Sequence, residues 1–305
     1  MRNAFVEGLI EIAEQNDKLV LLMAEVGYGV VEPFERKYPD RFFNTGISEQ
    51  SLVLNAAGLA IQGYHPVAYS MSSFLPSRAF EMIKDSVCYQ NLPVVLVGIG
   101  SGISYGEMGS THHAIEESAL MRSLPNMTVV FPSDADDCKA ALRYAISLNS
   151  PVYIGLEKIQ SSLTGIKEAF SPKWKKVGYG KDGAIIACGT MFKTALAVRN
   201  KLAIDDLDIA VYRANIVKPL DYDAIDDAIK SKKLYIMDEH VEIGGIGESV
   251  SSYILQSGKS KQIESYKIFS IKDEFPDVVY NMRDLLKRYG LLEDQLVSSI
   301  QSKII

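Results

Sequence analysis

Three stretches combine residue types able to do acid–base or binding chemistry with the pattern of a strand running into a loop or helix. In the first, Phe43-Asn44-Thr45-Gly46-Ile47-Ser48-Glu49-Gln50, the chain passes through a glycine into a helix whose first turn holds an acid. Ser48 suits an N-cap and Glu49 gains from the helix dipole. The same place, beyond the carboxyl end of a parallel strand, is where open α/β sheets hold their sites. In the second, the apolar run Val94–Val97 enters Gly98-Ile99-Gly100-Ser101-Gly102. A dinucleotide fingerprint would need a glycine at Ile103 or Tyr105, so that reading fails on spacing. The long loop continuing to Thr111 reads instead as a binding loop. In the third, Gly109-Ser110-Thr111-His112-His113-Ala114-Ile115-Glu116-Glu117, two histidines stand beside two carboxylates, and Ser110 or Thr111 could cap the next helix. Neighbouring histidines on a helix point about 100° apart, whereas a zinc-binding helix needs them four residues apart. One histidine facing a cleft as a proton donor is the better reading than a metal site. His65 and His240 read as structural or interfacial.

These segments need a scaffold, and the chain supplies one. It has 305 residues, 47% hydrophobic and 23% charged, which suits about two globular domains. A formal charge of −6 provides no positive field for nucleic acid or an anionic membrane. No apolar run approaches the roughly 20 residues of a membrane span, and the N-terminus lacks a signal-peptide core. Cys88, Cys138 and Cys188 form no C-x-x-C pair, so a cytoplasmic, reducing setting is expected.

Apolar periodicity predicts helix over 4–14, then a buried strand over 18–23. The alternation repeats: helices over 48–62, 79–88, 114–122 and 135–148, strands over 65–69, 93–98, 128–131 and 151–154. Such alternation implies a parallel sheet covered by helices. Between residues 160 and 176 the pattern fails. Beyond it, strands over 184–188, 209–213, 234–238 and 265–269 with helices over 192–203, 223–230, 247–256 and 281–290 predict a second, smaller α/β unit. The expected division is 1–160, a linker over 161–177, and 178–305.

Taken in order, these blocks resemble the C-terminal half of transketolases, in particular the small subunit of split, two-chain transketolases. The resemblance is carried by Asp40–Gln50, Ser73–Phe80, Gly109–His112, Ala119–Val130, Pro132-Ser133-Asp134, Val217–Asp221 and Asp238–Gly247. It implies a thiamine-diphosphate pyrimidine-binding domain followed by the transketolase C-terminal domain, and transfer of a two-carbon ketol unit between sugars. Glu49 would hydrogen-bond the cofactor's aminopyrimidine and favour the tautomer that deprotonates the thiazolium carbon. Phe74 would pack on that ring, with Glu25 and Ile47 also near the cofactor. His112 would face the reacting sugar as donor or proton shuttle. Arg2 becomes a candidate for a substrate phosphate, and Arg78 a structural arginine.

The resemblance breaks at two places. The G-D-G…N segment that holds Mg²⁺ and the diphosphate is missing; Lys181-Asp182-Gly183 does not supply it. The implied assembly is therefore an α2β2 heterotetramer with a large subunit carrying the diphosphate domain. The substrate positions also depart: Met108 stands for an Asp, Gly100 for a His, Gly29 for a Ser and Gly155 for an Arg. Arg2 and Lys158 remain as cations, so an unusual sugar is expected, unphosphorylated or nucleotide-linked. Rival readings are the β subunit of a 2-oxo-acid dehydrogenase, half of a 1-deoxyxylulose-5-phosphate synthase, and, in another class, a non-catalytic scaffold or regulatory subunit.

Overall fold

The computed structural model describes residues 1–158, 171–276 and 280–304. They form a two-unit α/β fold of mainly parallel sheets flanked by helices. The first sheet takes β1 (Leu19–Met23), β2 (Phe42–Asn44), β3 (His65–Met71), β4 (Val95–Ile99), β5 (Thr128–Val130) and β6 (Val152–Leu156). The second takes β7 (Lys175–Val177), β8 (Gly183–Cys188), β9 (Ile209–Ala214), β11 (Lys233–Val241) and β12 (Ser265–Ile271). One strand crosses over: β10 (Ile216–Lys218), in the sequence of the second unit, pairs antiparallel with β5 and closes the edge of the first sheet. The orders are β10-β5-β6-β4-β3-β1-β2 and β12-β11-β8-β9-β7. Apart from β10–β5 and β7–β9, every neighbouring pair is parallel.

The central strands, such as β1, β4 and β6, are apolar because both faces of the sheet are covered. In β1, Val20 and Leu22 face one layer with Leu52, Val53 and Ala56 of the helix Glu49–Ile61. Leu19, Leu21 and Met23 face the other, with Phe5 and Leu9 of the helix Arg2–Ala13 and Ala141 and Leu142 of the helix Ala135–Ser147. The first of these layers continues into the second unit through Phe131, Trp174 and Val217 to Ile186, Tyr212 and Ile225, so one apolar core joins the two. Burying each large aliphatic side chain contributes about 1.5–3 kcal/mol.

Several local expectations change. Most of the expected linker lies outside the described residues, but its end, Lys175–Val177, pairs with β9 as β7. The helix expected over 79–88 is helical from Phe80 to Cys88 but turns from α, Phe80–Met82, to π over Ile83–Cys88, with a separate short turn, Leu75–Arg78, before it. The helix expected from Ala114 begins only at Glu117, so Ser110 and Thr111 do not cap it. His112 closes a 3₁₀ turn and His113 is extended, because the backbone first bridges Gly102 to Ala114.

Candidate functional site

The loops after β1, β2 and β3 converge at the carboxyl edge of the first sheet. Ser48 caps the helix Glu49–Ile61 by accepting from the Ser51 N–H, and this places Glu49 in the first turn. Capping and chemistry are therefore not alternatives; the cap sets the carboxylate's direction. Glu49 is 2% exposed. Its Oε2 pairs with the Arg78 guanidinium at 3.0 Å, and its Oε1 accepts from the Ser70 hydroxyl at 3.3 Å. A carboxylate offers about four acceptor positions, so capacity for a further donor remains. Phe74, half-buried, meets His112 edge-on with ring centres 5.4 Å apart, and the Arg78 guanidinium lies 5.2 Å from the centre of the Phe74 ring. Thr111 Oγ1 fixes the His112 ring through Nδ1 at 3.0 Å. A buried carboxylate beside a half-open aromatic face suits a flat, nitrogen-bearing ring. Glu25, with φ of 48°, accepts from the Asn44 amide at 2.6 Å on the same edge, and Ile47 is 77% exposed. His113 is buried, and that burial lowers its pKa.

Arg2, Met108 and Lys158 assemble separately. They line a cavity of about 320 Å³ with Tyr105 and, from the second unit, Met282. The Lys158 ammonium lies 5.0 Å from the centre of the Tyr105 ring. Gly100 is not among this cavity's lining residues. With φ of +91°, its Cβ would stand 2.1 Å from a Tyr105 ring carbon, so the aromatic ring occupies the space a side chain would take. It admits the Tyr105 ring, which itself lines the cavity. The spacing of Gly100 and Tyr105 gave no sign of this contact.

A third polar group fills the seam between the units; of its members the sequence marked only His240, as structural or interfacial. The carboxyl ends of β4 and β6 bring Ser101 and Glu157 toward Cys188, Asp238, Glu239 and His240 at the ends of β8 and β11. Glu117, 1% exposed, accepts from the hydroxyls of Ser101 and Tyr153, from the Gly102 N–H at 3.2 Å and from His240 Nε2 at 3.2 Å. His240 Nδ1 meets Asp238 at 2.7 Å. Burial alone would depress the His240 pKa, but Asp238 and Glu117 outweigh it and hold the ring well above its ordinary value. Burial, then the charge of Glu239, pushes Glu157 well above the carboxylate range; burial raises Glu239 to about 7. The Cys188 thiol is pushed up by burial to about 12.

Cys188, Asp238 and His240 are close enough to share a metal. Both ring nitrogens of His240 are already engaged, however, and the thiol is held neutral, which disfavours a soft divalent ion. Nor does this enclosed cluster suit a metal-bound diphosphate, which needs open, oxygen-rich surroundings.

Two family models cover the chain: "Transketolase, pyrimidine binding domain" over residues 1–162 and "Transketolase, C-terminal domain" over 172–295. A 1-deoxy-D-xylulose-5-phosphate synthase of Clostridium acetobutylicum is 34% identical over 294 residues, covering 92% of this chain and 46% of that protein. The chain thus spans about half the length of such relatives. One of the subunits of an apulose-4-phosphate transketolase, from Actinobacillus succinogenes, is 33% identical, covering 97% of this chain and 96% of that one. Among solved structures, a split-gene transketolase described as an inactive β4 tetramer superposes with a TM-score of 0.88 at 31% identity, covering 99% and 97% of the two chains. With both of its units matched in order, the chain belongs to the transketolase family.

Proposed function

We propose that this chain is the cytoplasmic small subunit of a thiamine-diphosphate-dependent, transketolase-type transferase. Residues 1–160 would form its pyrimidine-binding half and 178–305 its C-terminal domain. The observation that carries the reading is the grouping of Glu49, Arg78, Phe74 and His112 on one sheet edge, with Glu49 buried and still able to accept a hydrogen bond. When bound, thiamine diphosphate supplies a carbon nucleophile for two-carbon transfer. Glu49 would accept from the cofactor's pyrimidine ring and Phe74 would pack on that ring. His112 would donate to the substrate's developing oxyanion, and Arg78 positions Glu49. Glu25 and the exposed Ile47 flank the same edge.

The diphosphate and Mg²⁺ would be held by a large partner subunit in an α2β2 assembly. The exposure of Tyr28 at 64%, Phe43 at 43%, Ile47 at 77% and Leu54 at 47% around the Glu49 helix supports such a covering chain. The cavity of Arg2 and Lys158 gives an anionic end of the substrate two cations, while Met108 offers a thioether where a sugar hydroxyl would need a strong acceptor. This supports a non-standard sugar as substrate.

The test is reconstitution with the co-purifying large subunit. Glu49→Ala should lower turnover by about 10²-fold or more with the assembly intact. A large thiamine-diphosphate-dependent rise in Tm for the isolated chain would contradict the need for a partner. Ordinary transketolase turnover of xylulose 5-phosphate with ribose 5-phosphate would overturn the unusual substrate. A second reading, half of a 1-deoxyxylulose-5-phosphate synthase, is favoured by the 34% identity to that enzyme. Pyruvate-dependent CO₂ release by the reconstituted pair would select it.

A further inference from the structure

The loop that carries Tyr105, Met108 and His112 is fastened to the second unit along its length. Ile103, 1% exposed, shares a core with Ile185, Met237 and Leu285 of that unit. The Ser110 hydroxyl donates to the Pro276 carbonyl at 3.4 Å, and the Val241 N–H donates to the Ile115 carbonyl at 2.9 Å. The tightest approach is at Gly106, whose Cβ, if present, would stand 2.8 Å from the Tyr280 carbonyl oxygen and 2.9 Å from the Met282 backbone nitrogen. Backbone atoms cannot rotate away as a side-chain tip can, so only glycine lets residues 280–282 lie this close. Docked there, Met282 is half-buried and lines the cavity of Arg2, Lys158 and Tyr105.

The lining fixes what this cavity can take. Its volume, about 320 Å³, lies near the lower end of small-molecule pockets, about 300–1,000 Å³. Arg2 and Lys158 bring two positive charges and Glu107, which is exposed, brings one negative, so the balance is a single positive charge. That suits a ligand with one anionic group. A nucleotide-linked sugar would bring a bridged diphosphate and a base, too much charge and too much bulk. The thioethers of Met108 and Met282 are weak acceptors, and such side chains select a ligand by contact and size more than by hydrogen bonds.

We propose that Met282 is a specificity-determining residue: held by the backbone contact at Gly106, it walls the substrate cavity on the side of the second unit and limits the substrate to a single short sugar with one anionic group. The inference rests on this cavity being the substrate's, as read above.

The test takes the reconstituted enzyme with one ketose donor and three acceptors of different length, erythrose 4-phosphate, ribose 5-phosphate and glucose 6-phosphate. Met282→Ala should raise kcat/KM for the longest acceptor relative to the shortest by about 10-fold or more, the gain appearing in KM. Met282→Leu, close in volume, should keep the original preference. Gly106→Ala, which forces residues 280–282 away, should move the ratio in the same direction as Met282→Ala. A ratio within about twofold of the unaltered enzyme in Met282→Ala overturns the proposal. If the unaltered pair transfers a ketol unit to none of the three, the catalytic reading fails, and the Tm of the isolated chain with the same three sugar phosphates decides the wall separately. A length order of Tm shifts that Met282→Ala abolishes supports it; an order left intact, or no shift with any of them, overturns it.

Discussion

Replacing Glu117 with glutamine measures how far polar contacts, as opposed to the shared apolar core, fix the two units together. Three donors converge on Oε1: the Ser101 hydroxyl, the Gly102 N–H at 3.2 Å and His240 Nε2 at 3.2 Å. The Tyr153 hydroxyl takes Oε2. The amide keeps the volume but has one acceptor oxygen. If that oxygen stays with the first three donors, the amide nitrogen faces Tyr153, whose proton must turn to Ser72 at 3.4 Å. The imidazolium of His240 then keeps Asp238 alone. Bonds to a charged group are worth about 1.5–3 kcal/mol each, and breaking a buried ion pair costs about 3–5 kcal/mol. A loss of about 3 kcal/mol is expected. Trp174, the single tryptophan, reports it: the residue is 6% exposed and its indole N–H donates to the Ile216 carbonyl in β10 at 2.7 Å. Urea unfolding followed by its fluorescence should shift by about 1 M for a slope near 3 kcal/mol/M. The double variant with His240→Asn should cost little beyond Glu117→Gln, since both act on one network. A midpoint shift under about 0.3 M for Glu117→Gln would refute the reasoning.

Arg78→Ala should cost less than about 1 kcal/mol of stability, because its side chain is 45% exposed and the pair is screened. Turnover of the reconstituted enzyme should nonetheless fall more steeply than stability, with Arg78→Lys restoring part of it; equal loss in both variants would argue against a positioning role. Gly100→Ala should expel the Tyr105 ring and raise KM with little change in kcat, at about 1–3 kcal/mol of stability; unchanged KM would separate Tyr105 from the substrate cavity. Asp227 accepts from Lys176 at 2.7 Å and Tyr212 at 2.7 Å, and these bonds, Lys176 first, hold its pKa well below the carboxylate range. A depressed folded-state pKa adds stability that is present above the unfolded value near pH 4 and is lost as pH falls through the folded one. With the Asp227 side chain 36% exposed, Asp227→Asn should cost about 0.5–1 kcal/mol at pH 7 and flatten the fall of Tm in acid; an unchanged acid limb would show that other carboxylates set it.

The fold was legible wherever burial on both faces forces a continuous apolar run, as in Leu19–Met23 and Val95–Ile99. It was illegible at the edges. β7 and β10 are three residues each, antiparallel and carry lysines, so neither length nor pattern marks them, and an edge strand is where such polarity belongs. The final helix, Glu293–Ile304, also passed without a distinct signal. At the proposed site, Glu49 and His112 stood out by their local sequence, whereas Phe74 and Arg78 entered only through the family resemblance. Arg78 and Tyr105 act on residues 29 and five positions away, Glu49 and Gly100, and nothing in the intervening sequence encodes either contact.

The seam escaped for a different reason. Asp238-Glu239-His240 at the end of a strand has the composition of a solvated loop, and charged residues are seldom fully buried without partners. Here all three are buried because their partners come from distant segments: Glu117 beyond the histidine pair, Thr190 after β8 and Glu157 after β6. Polarity that contradicts the apolar pattern persists only where structure compensates it, and such places are functional or strained. A polar triplet ending a strand that points at another sheet's carboxyl edge is therefore a contact surface, the interfacial reading that His240 alone had received. On that ground the seam, as much as the Glu49 edge, is where substitutions that leave the hydrophobic pattern intact should do the most damage.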